Sequence, residues 1–173
     1  VSSNDAAIAL ANSYDKKQLD LETFDQALNK TALFTAVMQQ KAREIGMTET
    51  YFGDASGLSV INQAVLTDLD ILVNYVLANH PEIFEITRKK EITILERTSM
   101  TRRTLININE FSGREEFLGG KTGFTDAASG NLISLFEFGG KKYLIIVLGT
   151  PDRFGETTKL FDWVKKQFLI TNI

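Results

Sequence analysis

The chain has 173 residues, of which 43% are hydrophobic and 24% charged, and its formal net charge is −3. This length and composition are those of one ordinary globular domain, and the weak charge bias does not favour a nucleic-acid partner. Because cysteine is absent, a thiol nucleophile, a disulfide framework and a thiolate metal site are excluded. No apolar run is long enough to cross a bilayer.

The only histidine, His80, precedes Pro81 after an apolar segment, and we expect it in a surface loop. A Ser-His-Asp triad would depend on this one residue, and a metal site would lack its usual ligands. Any nucleophilic catalysis therefore needs another base, and lysine is the obvious candidate.

The first predicted element is a helix that begins after Ser2, Ser3 and Asn4, because a polar turn followed by Ala-rich apolar spacing is typical of a capped helix. The functional alternative is a Ser-x-Asn loop that presents a hydroxyl and an amide to a cleft. Residues 21–29 predict a short amphipathic segment. Residues 30–45 predict a clearer helix, ended by Gly46.

The middle of the chain alternates loops, helices and a hairpin. Residues 47–58 predict an irregular loop, after which Thr67 and Asp68 are expected to cap a helix over residues 69–78. Residues 82–87 predict a further helical turn. Two β-rich segments then flank a basic stretch that contains Arg97, Arg102 and Arg103. Since this stretch lacks interleaved aromatic residues and is diluted by glutamates, it favours a solvated hairpin over a nucleic-acid patch.

The last third of the chain predicts a sheet covered by a helix. Two apolar runs, residues 131–138 and 143–148, are separated by Gly139-Gly140 and predict a β-hairpin. Residues 149–153 predict a turn. A closing helix follows over residues 155–168, with Leu160 and Phe161 on the face that packs on the sheet and Trp163 beside them. The resulting fold class is α+β, an antiparallel sheet with helices packed on it.

The triplet Lys121-Thr122-Gly123 is predicted to lie on a strand beside that hairpin. The lysine would hold a fixed cation, the threonine would offer a hydroxyl, and Gly123 would let a substrate backbone approach because it lacks a Cβ. The N–H of Phe124 would point at a developing oxyanion, a donor worth on the order of 10² to 10³ in rate. The alternative is a chance triplet after a Gly119-Gly120 turn.

Taken together, these motifs resemble those of the penicillin-binding D-alanyl-D-alanine carboxypeptidases, serine peptidases of the β-lactamase-like fold. Ser2-Ser3-Asn4 resembles the Ser-x-Asn element and Lys121-Thr122-Gly123 the Lys-Thr-Gly element of that superfamily. The run from Lys41 to Phe52 and the run from Gly120 to Gly130, with one extra residue, are also similar to family motifs. The resemblance covers essentially the whole chain, so residues 1–173 are expected to be one partial peptidase domain.

The resemblance implies acyl transfer, in which a serine attacks the D-Ala-D-Ala bond of a peptidoglycan stem peptide. Ser2 would relay a proton to the leaving amine, Asn4 would bind the substrate amide and the base lysine, and Lys121 would provide positive potential. The residues implied for substrate binding are Thr122 for the terminal carboxylate, Gly123, Phe124 for half of the oxyanion hole, and Arg153 for the carboxylate. A turn residue exposed to solvent is the alternative for Arg153. The resemblance implies no metal or cofactor, β-lactams as inhibitors and a location outside the cytoplasm.

One departure from the family pattern is the nucleophile. No Ser-x-x-Lys precedes the Ser-x-Asn triplet, and we expect the chain to lack this motif together with the first helix and the N-terminal strands of the family's sheet. The chain is therefore expected to be inactive alone and not to be labelled by a fluorescent penicillin. Because missing border strands leave sheet edges open, self-association or a complementing N-terminal segment is expected.

Two other functions stay open on the sequence. A non-catalytic fragment or cell-wall-binding remnant would carry the same motifs without the reaction. A β-lactamase would share the superfamily motifs, but no deacylating glutamate motif supports it, and the Ile45-Gly46-Met47 run favours the peptidase.

Overall fold

The computed structural model of the protein describes residues 2–14 and 30–171. The chain divides into two compact units, which we call the helical unit (Ser3–Tyr75) and the sheet unit (Val1–Ser2 with Val76–Ile173). The elements are α1 (Asn4–Ser13), α2 (Lys30–Glu44), α3 (Leu66–Asn79), α4 (Glu82–Thr87), β1 (Glu91–Glu96), β2 (Thr101–Ile106), β3 (Phe117–Thr125), β4 (Ser129–Phe138), β5 (Lys141–Thr150) and α5 (Arg153–Thr171). The amphipathic segment predicted over residues 21–29 lies outside the described residues.

The helical unit confirms two predicted helix ends. The Ser3 hydroxyl accepts the Ala6 N–H at 3.2 Å and so caps α1, as its residue type favours. Gly46, after α2, has a φ of +96°, the left-handed conformation that ends many helices. α1 packs on α2, where the Tyr14 and Phe34 rings meet edge to face at 5.4 Å between centroids.

The predicted cap of α3 is wrong. The helix begins at Leu66, so Thr67 and Asp68 lie inside its first turn. Asp68 is buried, and its carboxylate accepts the Glu49 N–H and the Thr50 hydroxyl, both at 2.8 Å. It is therefore tied to the loop before the helix rather than to the end of its own helix.

Replacing Asp68 with alanine is expected to lower the free energy of unfolding by about 2–3 kcal/mol, because two donors lose a charged acceptor in a buried place. Urea unfolding of the variant measures this loss. Asp70→Ala is the matched control, since Asp70 is exposed on the same helix and its carboxylate accepts from the Asn74 amide four residues on. Equal losses for both variants would contradict the role given to Asp68.

In the sheet unit, β3, β4 and β5 form an antiparallel sheet in that order. The predicted hairpin is confirmed as β4 and β5, joined by Gly139 and Gly140 with φ values of +60° and +72°. These left-handed values suit glycine at the turn. β3 carries Lys121 and lies at the edge of the sheet. β1 and β2 form a separate, mostly exposed hairpin, as predicted for the basic stretch.

Aromatic side chains hold α5 on the sheet. Phe136 of β4 is stacked on Phe161 of α5 at 4.2 Å between ring centroids, and Phe111 meets Phe136 edge to face at 5.3 Å. Such pairs add to the free energy of apolar burial. The packed face includes Phe161 but not Leu160 or Trp163, which are 44% and 60% exposed. The prediction for Leu160 is therefore wrong.

The predicted turn over residues 149–153 is shorter than expected. β5 continues to Thr150 and α5 already begins at Arg153. Pro151 and Asp152 lie between them, and the Asp152 carboxylate caps the helix because it accepts the Gly155 N–H at 2.8 Å.

These elements confirm the α+β class with an antiparallel sheet and packed helices. Among the helices within residues 2–14 and 30–171, none combines the length and the apolar character that a membrane crossing requires.

Candidate functional site

β3 is fixed from both sides at the residue before Lys121. On one side, the Gly120 N–H donates to the Thr87 hydroxyl at the end of α4, at 3.2 Å. On the other side, a Cβ on Gly120 would lie only 2.2 Å from the carbonyl oxygen of Ile133 in β4. Only glycine fits this gap. The close approach to β4 and the hydrogen bond to Thr87 together fix the backbone just before Lys121.

Lys121 meets Ser2 in the sheet unit. Its Nζ donates to the Ser2 hydroxyl at 3.0 Å and to the carbonyl oxygen of Thr122. Lys121 is exposed as a whole residue, but burial around its ammonium lowers its pKa below the ordinary value, and the positive charge of Arg153 lowers this pKa further. The two residues are 119 positions apart in the sequence, so the fold brings together two of the residues that were predicted to act in catalysis.

The three residues after Lys121 differ in exposure. Thr122 is 6% exposed and borders a cavity of about 220 Å³ together with Ser2 and Lys121. Gly123 has open space, since a Cβ there would meet only Asn131 at an ordinary 3.7 Å. The side chain of Phe124 is 61% exposed. The role predicted for this residue concerns its backbone N–H and does not involve the side chain.

Arg153 is not the exposed turn residue of the alternative interpretation. It is half-buried in the first turn of α5, and its Nη1 donates to the carbonyl oxygen of Gly123 at 3.1 Å. Its guanidinium lies 5.0 Å from the centre of the Phe154 ring, a cation–π distance. Within the described residues its buried Nε has no hydrogen-bond partner. Because it donates to Gly123, the guanidinium lies next to the strand that contains Lys121, Thr122 and Gly123.

Asn4, the third predicted catalytic residue, is the first residue of α1 in the helical unit. Its proposed contact with the substrate amide stays a prediction.

A Ser-x-x-Lys spacing does occur in the chain, at Ser13 and Lys16, so the expectation that the motif is absent is wrong as a statement about the whole sequence. It follows the Ser-x-Asn triplet instead of preceding it, so the family order is not met. Ser13 ends α1 and donates its hydroxyl to the Leu10 carbonyl at 2.8 Å. Lys16 lies outside the described residues.

Sequence reasoning did not identify the residues that fix the corner beside the site. Asn107 donates its side-chain amide to the carbonyl oxygens of Thr87 and Lys89, at 2.8 and 2.9 Å. Lys89 borders the same cavity as Lys121. The sequence shows only an asparagine after a predicted strand, and this does not reveal which carbonyl oxygens accept from its side-chain amide.

The chain is similar to known proteins in sequence and in fold. Residues 1–152 match the D-alanyl-D-alanine carboxypeptidase family. The D-alanyl-D-alanine carboxypeptidase DacB2 of Mycobacterium tuberculosis is 27% identical over 94% of this chain and 54% of its own length. The chain thus spans about half the length of this curated relative.

Solved structures extend the comparison. Penicillin-binding protein D2 of Listeria monocytogenes, in its cefotaxime-bound form, is 34% identical and aligns with a TM-score of 0.71 over 93% of this chain and 60% of that one. A D-alanyl-D-alanine carboxypeptidase of Mycobacterium tuberculosis is 25% identical, with a TM-score of 0.74 over 96% and 60% of the two chains. Similarity therefore covers nearly all of this chain but only part of each relative.

Proposed function

Because the chain belongs to the D-alanyl-D-alanine carboxypeptidase family, we propose that it provides the Lys-Thr-Gly side of a serine peptidase site that binds the D-Ala-D-Ala end of peptidoglycan stem peptides and β-lactams. One observation carries the proposal: the Lys121 ammonium donates to the Ser2 hydroxyl at 3.0 Å. We also propose that residues 1–173 are part of one peptidase domain that works outside the cytoplasm.

The Lys121–Ser2 contact supports a proton relay. A hydroxyl oxygen that accepts from an ammonium keeps its own O–H free to donate, so Ser2 is suited to protonate a leaving amine. The pKa of Lys121 is lowered. A pKa nearer to the operating pH makes a side chain a better general acid or base, so this shift favours proton transfer by Lys121. Asn4 would hold the substrate amide in this scheme.

The remaining residues would bind the substrate. Thr122 and Arg153 would receive the terminal carboxylate, and a charge-assisted bond of this kind contributes roughly 1.5–3 kcal/mol. The N–H of Phe124 would donate to the carbonyl oxygen of the scissile bond. Gly123 would let the extended peptide lie against β3, which has no neighbouring strand on its outer side within the described sheet.

Titration of the isotope-labelled chain with an acyl-D-Ala-D-Ala peptide tests the proposal by NMR. We expect shift changes that concentrate at Lys121, Thr122 and Gly123, and at least tenfold weaker binding of the L-Ala-L-Ala isomer. Equal binding of both isomers, or no binding of either, would refute the proposed function.

Replacing Gly123 with alanine is expected to weaken that binding at least fivefold without loss of stability. The added Cβ fits the strand, because it would lie 3.7 Å from Asn131, and a compatible Gly-to-Ala change stabilises by about 0.4–1 kcal/mol. A bound peptide backbone, however, would meet it. Gly120→Ala is the contrasting variant: its Cβ would collide with the Ile133 carbonyl, so thermal unfolding should show destabilisation. Unchanged peptide affinity in Gly123→Ala would argue against binding along β3.

A further inference from the structure

The end of α4 lies directly against β3, one residue before Lys121. The Thr87 hydroxyl accepts the Gly120 N–H at 3.2 Å. A Cβ on Gly119 would lie 2.8 Å from the Thr87 hydroxyl oxygen and 2.8 Å from the carbonyl oxygen of Phe84. Because glycine at this position lets the helix and the strand touch, a shift of the helix end would move the strand as well.

Thr87 is itself held in place by hydrogen bonds. The Asn107 amide donates to the carbonyl oxygens of Thr87 and Lys89, at 2.8 and 2.9 Å. The Thr87 hydroxyl donates to the Phe84 carbonyl oxygen at 3.4 Å, which leaves its lone pairs to accept from Gly120. The hydroxyl therefore meets β3 at a fixed position and with its oxygen towards the strand.

The Lys121 ammonium is bound on the same edge of β3. In an antiparallel pair, the backbone groups of successive residues point alternately towards the partner strand and away from it. The Gly120 N–H points away from β4, to Thr87. The Thr122 carbonyl, about 7 Å further along the strand, therefore points away from β4 too, and it accepts the Lys121 ammonium. A hydrogen bond that fixes the edge at Gly120 thus also fixes the carbonyl that holds the ammonium beside Ser2.

We propose that Thr87 is a positioning residue for Lys121. Its hydroxyl acts through the strand and not on the peptide, because it holds the outer edge of β3 so that the ammonium stays between the Ser2 hydroxyl and the Thr122 carbonyl. Without the hydroxyl, the Gly120 N–H would exchange its protein partner for water, and the ammonium would move and become better hydrated. This inference rests on the proposed function for the part that Lys121 plays in peptide binding.

Thr87→Val tests this role, because valine keeps the shape of threonine and removes the hydroxyl. NMR titration of the unliganded, isotope-labelled chain should show the pKa of Lys121 rising towards 10.5, since better hydration and a greater distance from Arg153 weaken both causes of its lowering. Affinity for an acyl-D-Ala-D-Ala peptide should fall about fivefold, the effect of one ordinary hydrogen bond. Thr87→Ser, which keeps the hydroxyl, should retain the lowered pKa and an affinity within about twofold of the original.

Thr158→Val is the matched control. Thr158 is exposed on α5, and its hydroxyl donates to the Phe154 carbonyl at 2.9 Å, so the same change removes a threonine hydrogen bond from another helix. It should alter neither the pKa of Lys121 nor the affinity. An unchanged Lys121 pKa in Thr87→Val, or equal effects of the two valine variants, would overturn the inference and leave the proposed function standing. If the original chain binds no peptide, the proposed function fails, and the Lys121 pKa still decides the role of Thr87.

Asn107→Ala reaches the same strand by a second route, because it frees the carbonyl oxygens of Thr87 and Lys89 while the Thr87 hydroxyl is kept. It should also raise the pKa of Lys121, by less than Thr87→Val does, and it carries the test by itself if urea unfolding shows that Thr87→Val is not folded. In the double variant the two changes should not add, since both act through the one hydrogen bond to Gly120. Full additivity would contradict the route from α4 to Lys121.

Discussion

Replacing Lys121 with methionine is expected to weaken binding of an acyl-D-Ala-D-Ala peptide by ten- to a hundredfold. The variant keeps most of the side-chain volume but loses the ammonium that donates to Ser2 and faces the cavity. Charged hydrogen bonds contribute about 1.5–3 kcal/mol, and each 1.4 kcal/mol is about tenfold in affinity. Lys142→Met is the matched control, because Lys142 is an exposed residue of β5 in the same sheet.

The pH dependence gives this prediction a second measurement. Burial and then Arg153 lower the pKa of Lys121 below 10.5, so the ammonium loses its charge at a lower pH than an ordinary lysine. Affinity for the anionic peptide should fall as pH rises through the lowered pKa, and Lys121→Met should lack this step. An affinity step that persists in the variant would show that another group is responsible.

The stability of the unliganded chain should move in the opposite direction. Between the lowered pKa of the folded state and 10.5, the unfolded chain binds more protons at Lys121 than the folded chain does. Its contribution to stability therefore rises with pH across that window. The Lys121→Met variant should show a smaller rise, measured by urea unfolding at several alkaline pH values.

The sequence predicts well those parts of the fold that are determined by residues close together in the chain. The hairpin of β4 and β5 follows from two apolar runs and a Gly-Gly pair, and both glycines adopt the left-handed conformation that the turn requires. The helix that ends before Gly46 has a similarly local signal. Asp68 was misassigned because helix capping is a local interpretation, whereas its two donors come from a loop 18 and 19 residues earlier.

The site shows the same division. Lys121, Thr122 and Gly123 are contiguous, so their place on one strand could be predicted, and the motif order pointed to Ser2. The half-burial of Arg153 could not be predicted, because it depends on where α5 begins relative to Gly123. Lys89 and Asn107 were missed for a related reason. Asn107 bonds to backbone carbonyls, and every residue has one, so the sequence does not single out its partners.

The outer edge of β5 bears on the predicted self-association. β5 pairs only with β4 within the described residues, and it presents apolar residues without a proline. Exposed strand edges of this kind favour pairing with another strand. We therefore propose that the chain self-associates or is completed by a further segment, and light scattering over a range of concentrations measures which state it adopts.

Replacing Phe136 with alanine is expected to lower the free energy of unfolding by about 3–5 kcal/mol, the usual cost of truncating a buried phenylalanine. Phe136 is 1% exposed, stacks on Phe161 and meets Phe111 and Phe117, so its loss leaves a cavity where α5 packs on the sheet. The helix start that carries Arg153 should loosen as well, and peptide binding should weaken with it.

The control for this variant is Phe124→Ala. Phe124 is 61% exposed on β3, so the change should alter stability by less than about 0.5 kcal/mol. Chemical denaturation of both variants measures the difference, and the Arg153 side-chain NMR signal reports on the helix start. If Phe136→Ala were to unfold at the same denaturant concentration as Phe124→Ala, the aromatic cluster would not be what fixes α5, and the position of Arg153 beside Gly123 would need another explanation.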